Sequence, residues 1–267
     1  MLQLTSLYRY PLKSGAGEAL RQATIDGLGL AGDRRWMVVD NASGRFLTQR
    51  LLGRMTALQA RWQGENLLLQ APGMPELPVL LPDSRAALRS VTVWGDSLQV
   101  PDAGDAAAHW LSSFLQRDCR LVQVPAQRAR QVDPAYARAG ERVGFADGFP
   151  LLLIGQASLD DLSARVGRSL EMLRFRPNLV VSGAAAYAED GWKRIRVGEL
   201  VLRVVKGCSR CIMTTLDPLT GERSADREPL RTLEGFRQRD GQVYFGQNLI
   251  AEGCGELRVG MPVEVLE

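Results

Sequence analysis

The residues with the sharpest chemistry are two cysteines three positions apart. They lie in Lys206-Gly207-Cys208-Ser209-Arg210-Cys211-Ile212-Met213-Thr214-Thr215-Leu216-Asp217-Pro218, directly after a strand-like run from Glu199 to Val205. Thiolates are soft ligands and strong nucleophiles, so such a pair at a strand exit points to metal, redox or sulfur chemistry. Structural zinc takes four ligands, usually from two pairs. Here only Cys119, Cys254 and His109 remain, each alone in the chain. A redox dithiol wants its first cysteine at a helix N-terminus, whereas Ile212-Met213-Thr214-Thr215 favour a strand and Pro218 follows soon after. Packing alone is the plainest alternative, two small apolar side chains at a strand end.

A further arrangement suits a chain so poor in histidine. One protein thiolate can hold a soft metal whose other ligands arrive with a cofactor. Molybdenum on a pterin dithiolene is such a case, with two sulfurs from the pterin and one from the protein. The pterin's phosphate would ask for arginine, lysine, hydroxyl or backbone N–H donors. Lys13-Ser14, Asp33-Arg34 and Arg176-Pro177-Asn178 offer them. Of the 33 basic residues only Lys13, Lys193 and Lys206 are lysines, which sets each of these apart. The single histidine, His109, sits in a helical pattern and is read as an ordinary helix residue. Ser-His-Asp and Cys-His hydrolytic schemes would need His109 itself as their base.

The elements that must carry these residues are mostly strands. Residues 2–8 alternate and read as a strand, broken by Tyr10-Pro11-Leu12-Lys13-Ser14-Gly15. Trp36–Asp40 and Arg45–Thr48 bracket Asn41-Ala42-Ser43-Gly44, a hairpin pattern. Short strands are expected at 58–62, 66–70, 90–93 and 97–100, a spacing that favours a barrel or sandwich over a parallel sheet. A helix follows at 105–116, then an Arg- and Pro-rich linker or flap at 124–144. A second helix is expected from Ser158, with Asp161 as capping-box partner. Strands at 179–182, 194–197 and 200–205, a helix at 229–237 and strands at 255–259 and 262–266 complete the chain. Residues 1–122 and 123–267 are read as two mainly β domains with some helices, each expected to be a barrel.

A net charge of +3 demands neither nucleic acid nor an anionic membrane as partner. The N-terminus shows no basic region followed by an apolar one, and the longest apolar run, Phe149 to Ile154, is too short to cross a bilayer. A monomer in the reducing cytoplasm is the expectation, since four cysteines in 267 residues make no disulfide framework.

Seven motifs in order carry a resemblance: Tyr10-Pro11-Leu12-Lys13-Ser14, Gly32-Asp33-Arg34-Arg35-Trp36, Gln156 to Leu162, Phe175-Arg176-Pro177-Asn178, Cys208 to Pro218, Arg227-Glu228-Pro229-Leu230 and Phe245-Gly246-Gln247-Asn248. The chain resembles, over almost its whole length, MOSC-domain proteins with a MOSC N-terminal β-barrel domain, in particular the amidoxime-reducing components and their bacterial relatives. The resemblance implies that Cys211 coordinates molybdenum and is the catalytic residue, while Cys208 packs. It implies that Ser209 and Arg210 hold the molybdenum-molybdopterin beside the metal. Lys13, Ser14, Arg34, Arg176 and Asn178 would hold the pterin and its phosphate. Pyridoxal phosphate binding also travels with the family as a family-level property.

By the same resemblance the chain is expected to be an oxidoreductase that removes oxygen from N-hydroxylated compounds: bases, hydroxylamines and amidoximes. Some bacterial relatives continue into a ferredoxin-like domain. This chain is expected to carry no such iron–sulfur cluster, so electrons are expected from a separate ferredoxin, flavoprotein or cytochrome b5-like partner. A cofactor carrier or sulfur-transfer module is the alternative that the resemblance leaves open. Two positions depart from the amidoxime reducers. Asn248 stands where they have an aromatic residue, and the segment Asp147-Gly148-Phe149-Pro150 is expected to meet the cofactor mainly through its backbone.

Overall fold

A computed structural model of the chain describes residues 1–267. Its main sheet runs in the order Glu18–Leu20, Gln3–Arg9, Leu179–Ser182, Leu151–Gly155, Gln242–Ala251, Leu200–Arg210, Arg194–Val197, Val263–Val265. Every neighbouring pair is antiparallel except one: Leu151–Gly155 runs parallel to Leu179–Ser182. A parallel pair needs a crossover, and the helix Gln156–Val166 supplies it. The last strand returns to the first, because Leu4 N–H donates to the Met261 carbonyl at 2.9 Å and Val263 N–H to that of Leu2 at 3.0 Å. That closure removes the exposed edges an open sheet would present.

Alternation along these strands sends Leu4, Leu7, Leu151, Leu153, Ile195, Leu202 and Leu249 into one interior. The first strand therefore completes the barrel of the second half, and Lys13 and Ser14 leave that barrel as its first strand ends.

The other half is a set of small sheets. Gln59–Trp62, Asn66–Gln70 and Leu77–Leu80 form a meander. Leu88–Val93 pairs with Asp96–Pro101, and Trp36–Asp40 with Cys119–Gln123. The helix Asp105–Leu115 drops Trp110, Leu111, Phe114 and Leu115 into a core shared with Trp36, Val38, Leu67 and Leu69. The fold is mainly β with some helices, as expected.

Several local expectations change. Arg45–Thr48 makes a single antiparallel bridge to the strand before it, Val39 opposite Phe46, and Arg45 also bridges to Thr92. Asp40 N–H donates to the Arg45 carbonyl at 2.9 Å and Leu47 N–H to that of Val38 at 2.8 Å, so the predicted hairpin is present but short. The second helix begins at Gln156 with Gly155 as its cap. Ser158 lies inside that helix, and its hydroxyl donates to the Glu189 carboxylate at 2.7 Å instead of capping. Residues 124–144 fold back as the short pair Arg130–Gln131 and Arg142–Val143. Arg130 is buried there and donates to the Gly144 carbonyl at 3.0 Å. Ile212–Thr215 forms a 3-10 turn, not a strand. No helix of the structure is long and apolar enough to cross a membrane.

Candidate functional site

All eight predicted site residues, Lys13, Ser14, Arg34, Arg176, Asn178, Ser209, Arg210 and Cys211, line one cleft between the two halves. Each arrives there by a local device that its sequence explains.

The strand Leu200–Arg210 carries the cysteine motif in and stops at Cys211, where the 3-10 turn begins. The carbonyl of Cys211 accepts from the backbone N–H and the hydroxyl of Thr214, both at 3.1 Å. Arg174 closes the far end of the turn by donating to the Leu216 carbonyl at 2.9 Å and pairing with Asp217 at 3.2 Å. Cys211 is exposed and Cys208 is half-buried. Burial pushes the Cys208 thiol up, with Arg210 only partly opposing it. The two sulfurs of the motif therefore differ in setting, Cys211 open on the cleft and Cys208 set back in the strand.

Arg210 is part of the wall. Its Nε donates to the Phe245 carbonyl at 2.8 Å and its Nη1 to the Phe175 carbonyl at 2.9 Å. Gly246, next to the Phe245 carbonyl, is required by the neighbouring strand, because at φ 76° a Cβ there would fall 2.6 Å from Ile154 and 2.8 Å from the Leu153 carbonyl. Ser209 is exposed beside it, and its hydroxyl makes no hydrogen bond within the protein.

On the opposite wall Lys13 is 7% exposed in its side chain; its Nζ donates to the Phe145 carbonyl at 2.8 Å and pairs with Asp147 at 2.5 Å. Burial pulls the Lys13 ammonium down from its ordinary value, and the Asp147 carboxylate pushes it back up. Arg34 pairs with Asp33 at 2.7 Å and donates to the Asn178 side chain at 3.2 Å and to the Arg176 carbonyl at 3.0 Å. The Tyr10 ring lies between two guanidinium groups, 4.2 Å from Arg34 and 4.3 Å from Arg176. Arg176 donates to the Gly15 carbonyl at 2.7 Å, and burial pulls it down to about 10, which leaves it charged at neutral pH. Asn178 uses its amide within the protein, accepting from Leu152 N–H and donating to the Tyr8 carbonyl, both at 3.2 Å. It positions Arg34 at the floor of the cleft.

Ser14, Arg34 and Arg176 all have left-handed backbone, at φ 60°, 45° and 55°. Such conformations are uncommon away from glycine and gather where a binding site over-determines the backbone. Three guanidinium nitrogens of the cleft, Arg50 Nε, Arg176 Nη2 and Arg210 Nη2, are buried without a hydrogen-bond partner. Buried donors left unpaired are costly. An acceptor-rich anionic group in the cleft would satisfy them, so these residues fit a phosphate-bearing cofactor. No three His, Cys, Asp or Glu side chains converge anywhere in the chain, which leaves the four-ligand zinc arrangement without a site.

The cleft also holds residues that the sequence reading passed over: Phe46, Thr48, Arg50, Trp94, Thr214 and the side chain of Asp147. The first four come from strands and turns that carry no motif, and only the fold brings them to the cysteines. Asp147 lies in the segment expected to meet the cofactor through its backbone, and its carboxylate pairs with Lys13. A wider groove of about 960 Å³ runs along the interdomain seam. It shares Arg176 with the eight residues but contains neither cysteine of the motif.

A family model described as "MOSC N-terminal beta barrel domain" matches residues 1–118, and one described as "MOSC domain" matches residues 140–264. The chain is 36% identical over 281 residues to mitochondrial amidoxime-reducing component 1 of Mus musculus, covering 98% of this chain and 82% of the relative. The chain belongs to the MOSC family of the amidoxime-reducing components. Its human relative of the same name is 34% identical with the same coverage. Component 2 of Bos taurus is 35% identical, covering 97% of this chain and 82% of the relative. These MOSC relatives are named for reducing amidoximes, which marks the family role as reductase-type.

Proposed function

We propose that this chain is a molybdenum-cofactor-dependent reductase of N-hydroxylated compounds, supplied with electrons by a separate donor protein. The observation that carries the reading is the exposure of Cys211 on a cleft whose walls present Lys13, Arg34, Arg176 and Arg210. Bound there, the molybdenum cofactor would supply the two-electron chemistry that takes oxygen from an N–OH group. The chain's own residues do the rest. Cys211 offers the single thiolate, and Ser209 offers an uncommitted hydroxyl beside it. Lys13, Ser14 and Arg34 would receive the phosphate, while Arg176 and Arg210, each with a buried nitrogen that no protein acceptor meets, would add donors around the cofactor.

The assay is reduction of benzamidoxime by the full chain, produced in a host that makes the cofactor, with reduced viologen as electron source. Benzamidine formation that disappears in Cys211→Ala supports the reading. Bound cofactor without turnover would instead favour a carrier or sulfur-transfer role. Turnover by a metal-free preparation would contradict both.

A further inference from the structure

Arg50 stands apart from every other cation of the cleft. Lys13 pairs with Asp147, Arg34 with Asp33, and Arg174 with Glu171 and Asp217. Arg176 and Arg210 donate to backbone carbonyls. Arg50 lines the same cleft, yet its side chain makes neither an ion pair nor a hydrogen bond, and its Nε is buried without a partner. What holds it is an arene: its guanidinium carbon lies 5.0 Å from the centre of the Trp94 ring.

Trp94 is itself held against its preference. It is the first residue of the two-residue loop between Val93 and Asp96, at φ 55°, where a turn of this kind normally takes glycine or asparagine. Phe46 meets its ring edge-on at 5.1 Å, and its indole N–H donates to Asp147 at 3.1 Å. The Lys13 ammonium lies 5.9 Å from the same ring. One strained tryptophan thus has two cations 5.0 and 5.9 Å from its ring centre, and its indole N–H holds the carboxylate that pairs with one of them. A guanidinium stacked on an indole keeps its edge N–H groups free for bidentate contact with an oxyanion.

We propose that Arg50, seated on Trp94, forms with Lys13 an oxyanion subsite for a phosphate or carboxylate group. Asp147 occupies Lys13 while the subsite is free. Its side chain is 72% exposed, so it can turn out to solvent as the anion arrives. The anion has two available sources: the phosphate of the pterin, or an acidic substituent on the substrate. Naming these sources rests on the proposed function; the subsite itself does not.

The test begins with the full-length chain produced in a host that cannot make the cofactor, titrated with inorganic phosphate by calorimetry. Arg50→Ala weakens binding about tenfold, the value of one charge-assisted contact. Asp147→Ala strengthens binding several-fold by freeing Lys13, so a folding defect in Arg50→Ala does not leave the matter open. Equal phosphate affinity in the wild type, Arg50→Ala and Asp147→Ala overturns the proposal. Because this titration needs no turnover, a failed reductase assay does not bear on it.

Two further arms separate the sources. Loss of pterin from Arg50→Ala on gel filtration assigns the subsite to the cofactor. Retained pterin, with KM rising more for 4-carboxybenzamidoxime than for benzamidoxime, assigns it to the substrate.

Discussion

Lys13 and Asp147 form an ion pair between unequal partners: the lysine side chain is 7% exposed and the aspartate side chain 72%, with 2.5 Å between nitrogen and oxygen. The buried partner depends on the exposed one. Burial lowers the Lys13 pKa and Asp147 raises it, so Asp147→Asn leaves a poorly solvated ammonium without its counter-charge. Because Asp147 is mostly in water, the loss is modest, about 1 kcal/mol at pH 7.

The pH dependence of that loss has a definite sign. A lysine whose folded pKa is depressed binds fewer protons folded than unfolded once pH exceeds the folded value. Its charged form therefore costs stability at low pH, and the cost is relieved as pH rises toward the unfolded value near ~10.4. Urea titrations should show Asp147→Asn approaching the wild type between pH 7 and pH 10. A gap that widens over that range would mean the pair does not work this way.

Ser209 and Arg210 are neighbours with separable duties. Ser209 is exposed and uncommitted, so Ser209→Ala should leave stability within about 0.5 kcal/mol while reducing pterin retention. Arg210→Ala strands the Phe175 and Phe245 carbonyls and should cost about 2–3 kcal/mol. Chemical denaturation read beside pterin fluorescence separates the two effects. Equal destabilisation by both changes would refute the division.

The two motif cysteines should also differ without any cofactor. In cofactor-free protein, iodoacetamide at pH 8 should label the exposed Cys211 and Cys254 and spare the buried Cys119. Cys208 should react slowly at that pH, because burial raises its thiol and keeps the thiolate scarce. With the other three cysteines changed to serine, its labelling rate should keep climbing above the ordinary thiol range near ~8.5. A plateau at or below that point would show Cys208 to be an unperturbed thiol.

Much of this architecture was legible in the chain. The first strand, the helix Asp105–Leu115 and the approach to Cys208 follow from periodicity and loop residues, and the ordered motifs lead to eight of the residues that line the cleft. Other features answer to forces that local pattern does not carry. Ile212–Thr215 looks like a strand from its β-branched residues, yet Thr215 Oγ1 donates to the Ile212 carbonyl at 2.7 Å and Thr214 Oγ1 to that of Cys211. Such local bonds compete with strand pairing and win here. The long strand Gln242–Ala251, which pairs with the cysteine strand, is masked by Gly246-Gln247-Asn248 in its middle. Arg50 and Trp94 are far from Cys211 in sequence and carry no motif, so only the folded chain brings them to the cleft.

The central claim is that a single sulfur, Cys211, binds the metal. Molybdenum should be measured per chain on protein from a cofactor-producing host, for the wild type, Cys208→Ser and Cys211→Ser. Near-stoichiometric metal in the first two and almost none in Cys211→Ser is the predicted result. Metal retained by Cys211→Ser but lost from Cys208→Ser would contradict the assignment.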